Sequence, residues 1–387
     1  MMDEEVTIEG AVSLGATLTY ADKDSKHPAI LIIMGTGKLD RDGNGGGLKL
    51  NLYKDLAWML ADQGFVVVRY DKRGTHRSGG DFNTAGLSDL TDDAISVVRY
   101  MKALPYVDDS KVIVCGHSEG TMIATLLSEK EDVAGLILLG GAGVSLKDAL
   151  RYQSMLAGKE FESKKGIKGA LLRRLSSEDK INSNQDEMFS KADASDGDTM
   201  RFKGMKMSAK WLREHESHTS EDYVRILKDC GKPVLAITGT ADVQADYHAL
   251  EAFGDAGNVT VYAPERVNHI LREIDDDNEI TGLSKQYKRL ASRPIYEGIK
   301  HMICSWLEQF NRSLAHVANE STVLPATELF LLLFLIHHLD HFSDDLYDLA
   351  PLIRDDYNAG IGAACGVHLQ KTQLMELFDL VAHTSAS

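Results

Sequence analysis

A serine in a Gly-x-Ser-x-Gly sequence is the first feature of the chain that could do chemistry. Residues 116–120 read Gly-His-Ser-Glu-Gly, which sets Ser118 between two glycines. An apolar run at 111–115 precedes the motif, and a helical pattern at 121–129 follows it. In that context a sharp strand-to-helix turn lifts the serine hydroxyl out of a sheet. Ser118 is therefore a candidate nucleophile, and a helix-capping serine in an inert domain is the alternative.

Short apolar runs supply the strands that such a turn needs. They are rich in Val, Ile and Leu without polar alternation, as expected of strands buried on both faces. Helical patterns lie between them, such as 52–63 with apolar Leu52, Leu56, Trp58, Met59 and Leu60. After an antiparallel start within 6–21, the runs lie at 29–34, 65–70, 111–115, 133–139, 233–238 and 259–263. The pattern predicts an α/β fold, a mostly parallel central sheet with flanking helices.

The motif and this order of elements resemble the α/β-hydrolase superfamily over about residues 1 to 310. Residues 33–37 read Ile-Met-Gly-Thr-Gly, and residues 70–74 read Tyr-Asp-Lys-Arg-Gly. These segments look like the bacterial esterase and thioesterase branch related to dienelactone hydrolases. The charges of residues 71–73 either attract a carboxylate-bearing substrate or tie together the surroundings of the serine, and the second interpretation is favoured.

The resemblance implies a catalytic acid and histidine further along the chain, in the order Ser, acid, His. Asp242 follows the run at 233–238, and His269 follows the run at 259–263. A carboxylate holds one ring nitrogen and stabilises the imidazolium, while the other nitrogen takes the serine proton. Asp246 and Glu265 are competing acids, with Asp242 preferred.

The same resemblance implies two backbone N–H groups that hold the oxyanion of the tetrahedral intermediate. One donor is expected at Glu119, directly after the nucleophile. The other is expected in the loop after the first parallel strand, where Thr36 is preferred over Gly35. The side chains of His117 and Glu119 are expected to be structural.

Charge argues against a polyanionic partner. The formal net charge is −16 at pH 7, and clustered Lys and Arg would have to overcome that field to bind phosphates. We therefore expect no nucleic-acid partner.

Several observations favour a cytoplasmic protein. The four cysteines form no Cys-x-x-Cys pair, and the first residues are acidic where a signal peptide is basic. The most apolar run, 329–336, is well short of the ~20 residues that cross a bilayer. We expect no membrane span.

The chain divides into four predicted segments. The gap between the runs at 133–139 and 233–238 is too long for a loop, so residues 144–230 are expected to form a helical lid insertion. It interrupts an α/β core at 1–143 and 231–310. Residues 311–387 are expected to be a C-terminal helical extension, with helices at 326–349 and 370–382 that pack on the body or form a homodimer. His337 and His341 have metal-ligand spacing without a third ligand, so no metal is expected.

These features predict a serine carboxylic-ester hydrolase that forms an acyl-enzyme on a small or medium acyl ester and needs no cofactor. One alternative is an acyl-CoA thioesterase or acyltransferase with the same catalytic residues. Another is a ligand-binding receptor on the same fold with vestigial activity.

Overall fold

A parallel sheet with an antiparallel edge forms the centre of the fold. The structure is a computed structural model and describes residues 1–165, 177–275 and 278–311. Within them the sheet has eight strands in the order β1-β2-β4-β3-β5-β6-β9-β10, with β1 and β2 antiparallel to their neighbours and the rest parallel. The mostly parallel sheet predicted from the sequence is confirmed. The strands are β1 Met2–Ile8, β2 Leu14–Tyr20, β3 His27–Ile33, β4 Val66–Tyr70, β5 Val107–His117, β6 Gly135–Leu139, β9 Val234–Ile237 and β10 Val259–Tyr262.

Alternation along the strands divides the core between the two faces of the sheet. Leu31 and Ile33 of β3 belong to one apolar cluster, and Ile30 and Ile32 belong to the other. On the first face lie α2 Leu87–Lys102 and α3 Glu119–Lys130, and on the second lie α1 Leu52–Asp62 and α9 Glu297–Asn311. Successive side chains of a strand point to opposite faces of the sheet. Because both faces are covered here, the positions of a central strand are mostly apolar, which explains the continuous apolar runs.

Two apolar side chains of the core elements are exposed, and the one in β10 contradicts the expectation of a strand buried on both faces. Trp58 in α1 is 48% exposed, because the buried face of that helix is formed by residues such as Leu56 and Leu60, spaced by one turn. Strand β10 is an edge strand, and its Val261 is 45% exposed. An apolar run cannot distinguish an edge strand from a central one.

The segment predicted as a helical insertion contains a hairpin as well as helices. Strands β7 Thr199–Phe202 and β8 Met205–Ser208 pair antiparallel through Lys203 and Gly204, both with positive φ (47° and 86°). A two-residue turn of this kind matches the twist of the strands it joins. The helices are α4 Leu146–Ser163, α5 Glu178–Asp193, α6 Ala209–Glu216 and α7 Ser220–Asp229.

The second part of the core ends with two helices. After β10 come α8 Leu283–Leu290 and α9, and residues Met1–Asn311 form one compact unit. The helices predicted at 326–349 and 370–382, the pair His337 and His341, and the proposed dimer surface lie outside the described residues.

Candidate active site

Ser118 occupies a strained turn between β5 and α3. Its φ and ψ are 56° and −122°, a backbone conformation that a residue with a side chain rarely adopts. A Cβ on Gly116 would lie 2.1 Å from the carbonyl oxygen of Gly120, and one on Gly120 would lie 2.2 Å from that of Ile33. Both glycines are therefore required by the close approach of α3 to β5 and β3. The turn leaves Ser118 partly exposed between buried neighbours.

His269 and Asp242 meet in loops at the carboxyl ends of neighbouring strands. The Nδ1 atom of His269 lies 2.7 Å from Oδ2 of Asp242, and both residues are buried. The other oxygen of Asp242 accepts the N–H groups of Gln244 and Ala245 at 2.8 and 2.9 Å. Because the carboxylate is fixed by these three contacts, it holds the imidazole in one orientation and leaves Nε2 as the free ring nitrogen.

The competing acids lie elsewhere. Asp246 caps the 3₁₀ helix Tyr247–Phe253 by accepting the N–H of His248, and Glu265 is exposed. Of the three candidate acids predicted from the sequence, Asp242 is the one within hydrogen-bond distance of His269.

Ser118 and His269 face one cavity without a direct hydrogen bond between them. Both line a space of about 780 Å³, to which Thr36 and Glu119 also contribute. Serine and base side chains in an unliganded site are often separated and approach when substrate binds.

The two candidate oxyanion donors also border this cavity. The Gly35 N–H donates to the Tyr53 hydroxyl at 2.9 Å, so it is already occupied. In the described part of the chain, the N–H groups of Thr36 and Glu119 have no hydrogen-bond acceptor. This arrangement leaves Thr36, rather than Gly35, with a free donor.

Two buried polar networks around Ser118 were not found from the sequence. In the first, the Tyr53 hydroxyl donates to Nδ1 of His117 at 3.0 Å, and His117 Nε2 donates to the backbone oxygen of His269 at 2.9 Å. Burial, reinforced by the neighbouring His269, lowers the pKa of His117 to about 3. The His117 ring is therefore neutral and joins the loops of Gly35 and His269.

The second network surrounds the Glu119 carboxylate. It accepts hydrogen bonds from Lys72 Nζ at 2.7 Å, Trp211 Nε1 at 2.5 Å and His215 Nε2 at 3.2 Å. Burial alone would raise the pKa of the Glu119 carboxyl, but the Lys72 charge and the bond from His215 outweigh it and hold this pKa below its usual range. Glu119 is therefore a buried, ionised group bound to α6 of the insertion.

The charged run at 71–73 is engaged in ion pairs. Asp71 binds Arg41 at 2.6 Å, and Arg73 binds Asp93 at 2.6 Å. Lys72 lines the cavity, but its charge is paired with that of Glu119. The run thus ties together the surroundings of the serine, as the favoured interpretation expected.

Apolar side chains form most of the cavity wall. They come from the loops after β3, from α2 and α3, and from the insertion, which contributes Met188, Met207 and Trp211. The other apolar lining residues include Leu39, Leu48, Leu50, Leu90, Met122, Leu146, Leu150 and Ile270.

The described residues form neither a metal-binding cluster nor a membrane-spanning helix. No group of three or more His, Cys, Asp or Glu in residues 1–165, 177–275 and 278–311 is arranged to hold a metal ion. No helix in the same ranges combines the length and apolar character that a bilayer span requires.

The sheet order, the strained serine turn and the Asp–His pair at the strand ends define an α/β-hydrolase. Residues 44–269 match the family described as Serine aminopeptidase, S33. The chain belongs to this family, which places it among the hydrolases.

A curated relative and two solved structures are similar to the chain. Esterase EstD of Thermotoga maritima is 26% identical over 151 residues, which are 39% of this chain and 35% of the relative, so the match spans about a third of that protein. Est1E from Butyrivibrio proteoclasticus, solved with ferulic acid, is 19% identical with a TM-score of 0.46, over 75% of this chain and 99% of that one. The Pyrococcus furiosus esterase Pf2001 is 15% identical with a TM-score of 0.49, over 80% and 91%.

Proposed function

We propose that this chain hydrolyses carboxylic esters, with Ser118 as nucleophile, His269 as general base and Asp242 as the acid that orients the histidine. The observation that carries the proposal is the 2.7 Å contact between His269 and Asp242 beside a serine held in a strained turn on the same cavity. The hydrolase family and the name of the relative EstD support the assignment.

The proposed reaction passes through an acyl-enzyme. Ser118 Oγ attacks the ester carbonyl carbon while His269 Nε2 takes its proton, and the N–H groups of Glu119 and Thr36 stabilise the negative oxygen. The intermediate collapses as His269 protonates the leaving alcohol. Water, deprotonated by His269, then attacks the acyl carbonyl, and Ser118 leaves with the proton that His269 returns.

The cavity supports a small or medium apolar acyl group as substrate. Its volume of about 780 Å³ lies in the range of ordinary small-molecule sites, and its wall is mainly aliphatic. Residues of the 144–230 segment form part of this wall, which supports a lid role for it.

The acidic residue in the cavity wall bears on whether the chain is an esterase or has the aminopeptidase activity that the family description names. Recognition of a substrate's free ammonium group calls for an uncompensated acid in the cavity. Among the described residues that line it, Glu119 is the acidic one, and its carboxylate is already bound by Lys72, Trp211 and His215. This favours an ester without a charged amino group.

Substitution Ser118→Ala tests the proposal. We expect it to abolish labelling by a fluorophosphonate probe and to lower kcat for p-nitrophenyl esters by about 10⁴-fold or more, because the nucleophile is removed. Mass spectrometry of the labelled wild-type protein locates the modified residue. Ser128→Ala is the matched control, since Ser128 lies buried in α3 and its hydroxyl binds the Thr125 carbonyl. Undiminished labelling of Ser118→Ala would show that the nucleophile is elsewhere.

A further inference from the structure

Lys72 contacts both chain segments that carry the candidate oxyanion donors. Its ammonium donates to the carbonyl oxygen of Gly35 at 2.8 Å and to Oε2 of Glu119 at 2.7 Å. Lys72 and Glu119 are each 3% exposed. One buried cation therefore links the loop after β3 to the first residue of α3.

The contact to Gly35 controls the direction of the next N–H group. The Gly35 carbonyl and the Thr36 N–H belong to one planar trans peptide, in which the two groups point in opposite directions. When Lys72 holds the oxygen on one side, the Thr36 N–H is fixed on the other side. The preceding N–H, of Gly35, is held by Tyr53. Both peptide units around Gly35 are thus held in place.

The contact to Glu119 fixes the second donor. The side chain that Lys72 binds belongs to Glu119, which lines the cavity and whose backbone N–H has no acceptor in the described part of the chain. Trp211 and His215 hold the same carboxylate from α6, so the side chain has three donors around it. A buried ion pair gives little net stability relative to apolar residues, because both charges lose their hydration. Stability alone therefore does not account for this pair.

We propose that Lys72 is a positioning residue that sets the geometry of the oxyanion-binding N–H groups of Thr36 and Glu119, with the Glu119 carboxylate as its anchor. This rests on the proposed function. The proposed role requires neither contact with the substrate nor transfer of a proton. It acts through the Gly35–Thr36 peptide and through Glu119.

Lys72→Met tests the inference, because methionine keeps much of the lysine's length but cannot donate to Gly35. We expect kcat for a p-nitrophenyl ester to fall by about 10- to 100-fold with little change in KM, since the oxyanion forms only after binding. Binding of a trifluoromethyl ketone, which forms a tetrahedral adduct with serine, should weaken in parallel. Lys102→Met is the matched control. It removes the 3.0 Å ion pair between Lys102 and Glu131, and neither residue lines the cavity.

The double variant Lys72→Met/Glu119→Gln separates positioning from stability. The single variant leaves a buried carboxylate without its cation and can unfold for that reason. The double variant removes both charges, so we expect its thermal stability to recover toward wild type while kcat and ketone affinity stay low. Recovery of kcat together with stability would overturn the inference, as would an unchanged kcat in a folded Lys72→Met protein. Wild-type ester turnover that Ser118→Ala abolishes shows independently that the proposed function holds.

Discussion

The ring of His117 connects two parts of the site that are distant in sequence. It accepts from Tyr53, which lies 64 residues away, and donates to the backbone of His269, which lies 152 residues away. The ring is buried and lies 4.8 Å, centroid to centroid, from the ring of His269. Burial keeps this ring neutral, because it outweighs the His269 carbonyl and the Asp242 carboxylate, both of which favour a positive charge.

This neutral state predicts a pH-dependent stability. Burial lowers the pKa of His117 from 6.5 to about 3, so below pH 6.5 the unfolded chain binds a proton that the folded chain does not. The free energy of unfolding should therefore fall as pH falls from about 6.5 toward 3, by about 2 kcal/mol from this residue between pH 7 and pH 5. Urea unfolding at both pH values measures the change.

The variant His117→Asn isolates this contribution. It should be less stable than wild type at pH 7, because hydrogen bonds are lost, but its stability should change less between pH 7 and pH 5. His301→Asn, at an exposed position of α9, serves as the control. Equal pH dependence in wild type and His117→Asn would contradict the prediction.

At the scale of elements, the close approach of α3 to β3 and β5 creates the serine turn. Gly120→Ala would place a Cβ against the Ile33 carbonyl, a rigid backbone atom. We expect a loss of about 1–3 kcal/mol in the free energy of unfolding, and lower ester turnover, because the first turn of α3 must shift. Gly282→Ala is the control, since its nearest contact there is an ordinary 3.7 Å. A Gly120→Ala protein as stable as wild type would contradict the packing argument.

Sequence patterns predicted the buried strands well, because a strand covered on both faces requires a short continuous apolar run. They failed at β10, because the position of a strand at the edge of the sheet depends on its neighbours and not on its own sequence. The β7–β8 hairpin was missed, although Lys203-Gly204 is a plausible turn signal. Candidate residues Ser118, Asp242 and His269 were located because strand ends converge at one edge of a parallel sheet.

Contacts between buried polar side chains could not be predicted from the sequence patterns. The Lys72–Glu119 pair joins residues 47 positions apart, and the Trp211–Glu119 contact joins residues 92 apart. Nothing in local periodicity indicates which buried charges will meet. The residue types alone suggested only that charges near 71–73 were structural.

At the scale of the whole molecule, the proposed site lies entirely within one compact unit. Residues Met1–Asn311 form that unit, and it contains Ser118, Asp242 and His269. A chain ending at Asn311 should therefore keep kcat/KM for p-nitrophenyl esters within a few-fold of the full chain, as measured side by side. Sedimentation of both proteins tests whether residues 312–387 support a dimer. Loss of turnover in a folded truncated protein would show that those residues complete the site.

The hydrogen bonds from Gly35 through Tyr53 and His117 to His269 all run in one direction. They begin at a backbone amide, which can only donate, and end at a backbone carbonyl, which can only accept. The tautomer of the His117 imidazole is consequently dictated by its neighbours, and this path cannot conduct protons. In the proposed reaction, a proton taken up by His269 at Nε2 therefore returns through the cavity, to the leaving group or to the serine oxygen.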